Sequence, residues 1–482
     1  MKKILSYQEQ KILLLIETLD IYENLSFTKL QEFVEVDPKT LRRLIQRANQ
    51  FFSPIQIKTD SSNLFSLSIP SNLTIKYCYS IILEGSLEFN IIEEIFFNET
   101  HSISSLSQKL FISESTLRRT ISKINTILYN QGFKIKTLPL RIRGDEQRII
   151  NFIIYFLMEK YSEPERKFSL SKRHFVDHLI SLHFKITRKT QSYPDIYKGR
   201  IWLLVILERI KTRGEVNLPI PKKNIPNGKF LRTFHTLFKQ NFNIDIKNNP
   251  YFLFFYGTYK TTFLRTKRSR LKKKYQFQKR SLLQLFSLIQ GRLAIPEPTN
   301  KQKLLDALDI TIKLHSGPPF VLLDNYELFI KKFKLQYPFI TETILKTITE
   351  IFSFLEEYQV YSIAYMIITH WEDFILSITY KMNRIPLALL FNSDIEHMNM
   401  LKILIEEKFP RRFDINILSS FIRTDNLNFS NLPYALILTN IENLNVDDKC
   451  VYCTELFLND KDWNFLSDYH KNFDSLSIRS DE

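Results

Sequence analysis

A mainly α-helical, multidomain chain closed by a small α/β domain is the fold class this sequence predicts, and three observations carry it. A motif near the start occurs twice. Residues 26–43 align without a gap against residues 102–119, with apolar residues at the same places (Leu30, Val34, Val36, Leu41 and Leu106, Leu110, Ile112, Leu117) and the same ending, Thr-Leu-Arg-Arg. From about 165 to 384 the apolar residues recur almost purely with a helical period. From Pro386 onward short apolar runs alternate with a helix pattern, which argues for a small open α/β sheet.

The repeated stretch has the pattern of a helix-turn-helix. Leu106 and Leu110 are one helical turn apart and share a face, Ile112 falls in a tight turn, and Leu117 and Ile121 face inward from a second helix. Ser113 is a good N-cap for that helix. In the first copy Asp37 caps and Pro38 takes the first helical position, where its missing N–H costs nothing. The outward face then carries Lys39, Thr40, Arg42, Arg43, Gln46 and Arg47 in the first copy, and Ser115, Thr116, Arg118, Arg119, Ser122 and Lys123 in the second. Such groups reach base edges and phosphates in a major groove. Helix pairs with surface arginines also occur in proteins that never touch DNA; the repetition is what favours a nucleic-acid role. The turn position often held by glycine is Glu35 in one copy and Phe111 in the other, a departure from the usual pattern.

Each copy is preceded by a helix, at 7–22 and 87–97, and followed by a wing-like hairpin, 55–58 with 64–67 around Asp60-Ser61-Ser62-Asn63, and 133–137 with 140–143 around Pro139. The Ser-, Asn- and Pro-rich run 66–72 separates the modules. A helix over 145–159 leads away from the second wing, and Ser162-Glu163-Pro164-Glu165 marks a boundary. Helices are then expected at 172–187, 198–212, 227–241, 251–265, 279–291, 300–314, 326–336, 340–358 and 362–380, and Pro296-Glu297-Pro298 divides them into two bundles. In the last part, runs at 387–391, 415–418, 434–438 and 451–456 read as strands, with helices at 396–408 and 463–473. The expected division is 1–72 and 73–162 for two winged helix-turn-helix domains, 163–295 and 296–384 for two helical domains, and 385–482 for the α/β domain.

A length of 482 residues exceeds one ordinary core, and 44% hydrophobic residues leave no compositional sign of a long disordered tail. No apolar run approaches the ~18 residues of a membrane span. Three cysteines make no disulfide framework, so a cytoplasmic location is expected. Cys450-Val451-Tyr452-Cys453 lacks a second ligand pair and reads as strand. His174 and His178 stand one turn apart with His183 beyond, a spacing that could hold zinc, but the hydrolase position directly after His174 is Phe175 and not an acidic base, so they are not read as a zinc site. No metal, cofactor or catalytic constellation is expected, and the chain is read as a non-enzyme. The net charge of +16 suits a polyanion, yet it is unevenly spread. Residues 1–150 hold 19 Lys/Arg against 16 Asp/Glu, 151–384 hold 39 against 19, and 385–482 hold 9 against 16. The densest basic run, 260–280, reads first as a solvated helix face or linker and second as another DNA-contacting surface.

The order of these parts resembles the Mga and AtxA family of global and virulence regulators from Gram-positive bacteria. Its most specific pieces are Ile112-Ser113-Glu114-Ser115-Thr116-Leu117-Arg118-Arg119 and Leu140-Arg141-Ile142-Arg143-Gly144-Asp145-Glu146, which looks like the family's second wing and exit. The resemblance implies that the bundles are regulatory domains modified on histidine by the sugar phosphotransferase system. Asp177-His178-Leu179 and the segment 363–370 ending in His370 match those domains' patterns, so His178 and His370 are the implied phosphohistidines. It implies too that the last domain is like a phosphotransferase IIB component. Its loop, Asn392-Ser393-Asp394-Ile395-Glu396, has neither the cysteine nor a glycine, so the domain is expected to serve association. The implied partners are double-stranded DNA, further copies of the chain in a homodimer or larger homo-oligomer, and the phosphocarrier protein of the phosphotransferase system, with no membrane. The alternatives are an RNA-binding antiterminator, which would need an RNA-binding β domain not visible here, or a phosphotransfer-linked interaction protein.

Overall fold

The computed structural model describes residues 1–187, 193–213, 272–313, 317–381, 384–418, 433–442 and 450–477, with Thr236, Lys239 and Leu444. The helix expected at 227–241, apart from Thr236 and Lys239, the one expected at 251–265, and residues 260–271 of the basic run lie outside the described residues. The chain forms two compact units, one of Met1–Arg280, Asp306–Lys331 and Leu355–Ser362, the other of Ser281–Leu305, Lys332–Phe354 and Ile363–Glu482.

In the first unit, α1 (Tyr7–Ile21) starts where Ser6 and Glu9 cap each other: the Glu9 N–H donates to the Ser6 hydroxyl at 3.3 Å and the Ser6 N–H to the Glu9 carboxylate at 2.8 Å. Next come β1 (Leu25–Ser26), α2 (Phe27–Val34) and α3 (Pro38–Phe51). The hairpin of β2 (Gln56–Thr59) and β3 (Leu64–Ser68) follows, and β1 adds to β3 antiparallel, so the first wing has three strands in the order β1-β3-β2. The sequence reading had only the hairpin, because two residues carry no strand period. Asp60 closes the turn by accepting the N–H groups of Ser62 and Leu64 at 2.8 and 2.9 Å.

The second module repeats the plan with an added helix. α4 (Lys76–Gly85), absent from the sequence reading, packs against α1, α5 (Leu87–Phe97) and α8 (Glu146–Lys160). α6 (Ile103–Lys109), α7 (Glu114–Leu128) and the hairpin β4 (Phe133–Thr137) and β5 (Leu140–Gly144) lie between. α5 and α8 are buried on nearly every side, which explains their apolar runs. The few charges inside are matched. Glu93 of α5 receives Lys160 at 2.6 Å, Lys167 at 2.9 Å and the Tyr161 hydroxyl at 2.7 Å. Burial raises its carboxyl, but these donors outweigh burial and hold it below the usual range. Glu159 accepts the backbone N–H groups of Val321, Leu322 and Leu323 at 2.6, 2.8 and 3.3 Å. In its case burial wins, and the carboxyl is pushed up to about 7.

α9 (Leu170–Thr187) and α10 (Tyr193–Arg213) pack on each other, and α10 packs on α8. The run from Leu203 to Ile210 is buried throughout, including Glu208 and Arg209.

The remaining helices are α11 (Lys272–Leu293), α12 (Lys301–Lys313), α13 (Asn325–Gln336), α14 (Pro338–Ile351), α15 (Glu357–His370) and α16 (Phe374–Lys381). Two expected helices are broken. The one at 340–358 stops at buried Phe352 and restarts at Glu357, and the one at 362–380 is divided where Asp373 takes a left-handed conformation, φ 59°. The apolar period runs through both breaks and conceals them.

Within the second unit, β6 (Ile385–Leu390), α17 (Ile395–Lys408), β7 (Phe413–Ile417), β8 (Leu436–Thr439), β9 (Cys450–Cys453) and α18 (Asp460–Ser477) make the α/β domain. All strands are parallel, in the order β7-β6-β8-β9. Ile385, Leu387 and Leu389 fill one face while Ala388 and Ile437 fill the other, as a sheet covered on both sides requires. The fold class expected from sequence, helical modules followed by a small α/β domain, is the one observed.

Candidate nucleic-acid interface

The second helix of each copy is set by its cap. The Asp37 carboxylate accepts the Thr40 N–H at 3.0 Å with Pro38 at the start of α3, and the Ser113 hydroxyl accepts the Thr116 N–H at 3.1 Å at the start of α7. Hydrogen bonds from Thr40, side chain before backbone, hold the Asp37 carboxyl below the usual carboxylate range. The turn before each cap is closed by a left-handed residue, Glu35 and Phe111, both at φ 55°.

Leu41, Leu44 and Ala48 face the core from α3, and Leu117, Ile121 and Ile124 from α7. The opposite faces are therefore outward. Lys39, Arg42, Arg43, Gln46 and Arg47 are exposed on one, and Ser115, Arg118, Arg119, Ser122 and Lys123 on the other; Thr40 and Thr116 are half-buried beside their caps. The Arg42 guanidinium lies 5.3 Å from the centre of the Phe27 ring, and Arg118 stands 3.6 Å from Glu114 one turn earlier. Arg47 donates to Gln8 and Lys123 to Glu88, at 2.7 Å for the latter. Gln8 and Glu88 are each the second residue of the helix that precedes the repeated motif, so the two ties are equivalent. Arg43 and Arg119 also occupy equivalent places, and among the described residues neither has a partner. In the first module a cleft of about 550 Å³ opens between helix and wing, lined by Phe27, Arg42, Ile45, Gln46, Thr59, Asn63 and Phe65.

Helix and wing are joined by a residue that the sequence reading did not single out. Asn49 donates to the Ile57 carbonyl at 3.1 Å and accepts its N–H at 2.6 Å; Asn125 does the same to Ile135 at 2.8 and 2.7 Å. Continuing the gapless alignment past the paired arginines sets Asn49 against Asn125, and that repetition was the available signal.

The second module is also anchored from α10. Arg209, 1% exposed, grips both carboxylate oxygens of Glu146 at 2.6 and 2.9 Å and reaches Glu99 at 3.1 Å. Glu146 opens α8 directly behind β5, and Glu99 precedes α6. A bidentate pair of this kind fixes geometry as well as charge.

Comparison with known proteins agrees with this architecture. A family model described as the Mga helix-turn-helix domain matches residues 71–157, from just before α4 into α8. The chain is 22% identical over 460 residues to a putative trans-acting regulator of Streptococcus pneumoniae serotype 4, covering 91% of this chain and 93% of the relative. The chain is similar to the Mga/AtxA family of regulators. Two Bacillus anthracis relatives match over shorter stretches. One is the capsule synthesis positive regulator AcpA, 26% identical over 191 residues and 39% of each chain; the other is the anthrax toxin expression trans-acting positive regulator, 29% identical over 127 residues and 26% of each chain. The chain is accordingly a transcriptional regulator with a helix-turn-helix domain, not an enzyme.

The candidate phosphohistidines, the loop 392–396 and the cysteine pair of this regulator are far from the two helix faces in sequence. His178 is exposed on α9, next to Asp177, whose carboxylate takes Arg200 at 2.8 Å. His370 is exposed as the last residue of α15, its Nδ1 2.8 Å from the Thr369 hydroxyl. The loop 392–396 leads into α17, with Asp394 capping it by accepting the His397 N–H at 2.8 Å. Cys450 and Cys453 are free thiols on β9. Among the described residues no cluster of His, Cys, Asp and Glu is arranged to hold a metal, and no helix is long and apolar enough to cross a membrane.

Proposed function

We propose that this regulator binds double-stranded DNA with the outward faces of α3 and α7, and does so as a homodimer or larger homo-oligomer. One observation carries the reading: Arg43 and Arg119 stand at the same place in two copies of one motif, exposed and, among the described residues, without a partner. Free guanidinium groups beside short polar side chains suit phosphate positioning and base-edge contacts. Arg42 and Arg118 hold only a ring and an exposed carboxylate, ties that DNA phosphates can displace.

The histidines suit control by the phosphocarrier protein of the sugar phosphotransferase system. A phosphoryl group at His178 would add close to two negative charges beside the Asp177–Arg200 pair, and one at His370 would sit at a helix C-terminus, where negative charge is unfavourable. Either addition favours rearrangement of the helical region. The α/β domain, with 16 acidic against 9 basic residues, suits association with basic surfaces of other subunits.

The test is a mobility-shift titration of the full chain on genomic fragments. Alanine at Arg118 and Arg119 together should weaken binding more than tenfold, and Asp at His178 and His370 should change the footprint or the oligomer size. Unchanged titration by the arginine variant would remove the DNA-contact assignment.

A further inference from the structure

The second wing has a charge pattern that its own fold does not explain. In the β4–β5 ladder Lys134 is directly opposite Arg143 and Lys136 directly opposite Arg141. Phe133, Ile135, Leu140 and Ile142 fill the buried side of the hairpin, so the four cations share the outer side. Like charges facing each other across a ladder destabilise it. No acidic residue occurs between 133 and 144, and among the described residues none of the four is ion-paired. The Nε of Arg141 is buried without an acceptor. The first wing's β2–β3 hairpin carries a single cation, Lys58, with Asp60 in its turn. The repulsion therefore belongs to one wing and not to the scaffold.

The tip is equally unusual. Leu138 and Pro139 close the hairpin beyond the Thr137–Leu140 pair, and Leu138 is 90% exposed. An apolar tip standing proud of a cationic stem fits a narrow groove with stacked base steps on its floor and phosphates on both walls. We propose that this wing is a minor-groove wedge, with Lys134, Lys136, Arg141 and Arg143 on the flanking phosphates and Leu138 pressed against a base step, bending the duplex. Apolar wedges used in this way kink DNA, and cations beside them neutralise the backbone. The inference rests on the DNA-binding reading above and deepens it. Recognition by the second module then depends on how readily a site deforms, which the nearly neutral first wing does not supply.

The test uses the full chain and an end-labelled duplex of mixed sequence with a TA step at its centre. Binding of the unaltered chain should bring the ends closer, by a kink within roughly 20–90°. Leu138→Ala should abolish the kink while affinity changes only a few-fold. The double variant Lys134→Gln/Lys136→Gln should lower the slope of log affinity against log salt by about 1.8, from about 0.9 per phosphate contact. Without DNA its unfolding midpoint should stay level or rise, since a repulsion has been removed; a fall would mean that the lysines support the fold, and would overturn the proposal. A duplex bound but left straight, or a salt slope unchanged in the double variant, would overturn the wedge and leave DNA binding by the helices intact. Failure of the unaltered chain to bind any duplex would overturn both.

Discussion

The side-chain amide of Asn125 is locked to the backbone of Ile135, donating to its carbonyl at 2.8 Å and accepting its N–H at 2.7 Å. Asn49 treats Ile57 in the same way. In each module the amide stands where a neighbouring strand would, so α3 or α7 and its wing move together. Asn125→Ala leaves both backbone groups without a partner and should lower stability by about 1–3 kcal/mol in urea unfolding. Amide exchange at Ile135 should quicken by a matching factor. Unaltered exchange there would show the two pieces to be independent.

The outward arginines should differ in their weight on DNA. Arg43→Ala and Arg119→Ala remove groups that have no partner among the described residues, so each should weaken DNA binding with little change in the unfolding midpoint. Lys123→Ala also breaks the 2.7 Å contact with Glu88 and should give a smaller affinity loss for a larger stability loss, at most about 1 kcal/mol at that exposure. Paired titration and melting measurements of the three variants check this order.

Arg209→Met should be far more costly. It removes the guanidinium that Glu146 and Glu99, about one-tenth exposed or less, both face, and a loss of about 3–5 kcal/mol is expected. Adding Glu146→Gln and Glu99→Gln to the same chain should recover part of that loss. No recovery in chemical denaturation would mean that packing, not charge, dominates at this position.

Glu159 predicts a pH dependence of definite sign. Its carboxyl holds a proton up to about pH 7 in the fold, against an ordinary value of 4.5. The folded chain therefore binds more protons than the unfolded one between those values, and stability falls as pH rises across that window. The loss is on the order of 3 kcal/mol, complete above about pH 7. Glu159→Gln should flatten the unfolding midpoint between about pH 5 and about pH 8. A variant keeping the same slope would assign it to other groups.

The modules were legible in the sequence because their signals are local: Ser113 and Asp37 as caps, Leu106 and Leu110 one turn apart, alternating residues in both wings. The α/β domain was legible from the change of apolar period after Pro386, and the parallel run of its strands from the structure alone. What escaped depends on distant partners. Glu159 meets Val321 across 162 positions, and Arg209 meets Glu146 across 63; within their own helices both are charges interrupting apolar runs. α4 escaped although Cys78, Tyr79, Ile82 and Leu83 form a buried stripe, because the helix is short and starts without a side-chain cap to mark it. Asn49 and Asn125 were visible only as a repeated polar residue at the end of an amphipathic face.

Glu35 and Phe111 have a last implication. An acidic side chain and an aromatic one, the latter almost wholly in water, adopt the same left-handed backbone at the bend between paired helices. That conformation costs a residue with a Cβ about 1–3 kcal/mol, so the bend is imposed by how the two helices seat on each other and not by what occupies it. Scanning sequences for this bend by its expected glycine would pass over both copies, whereas scanning for the cap that follows would find them.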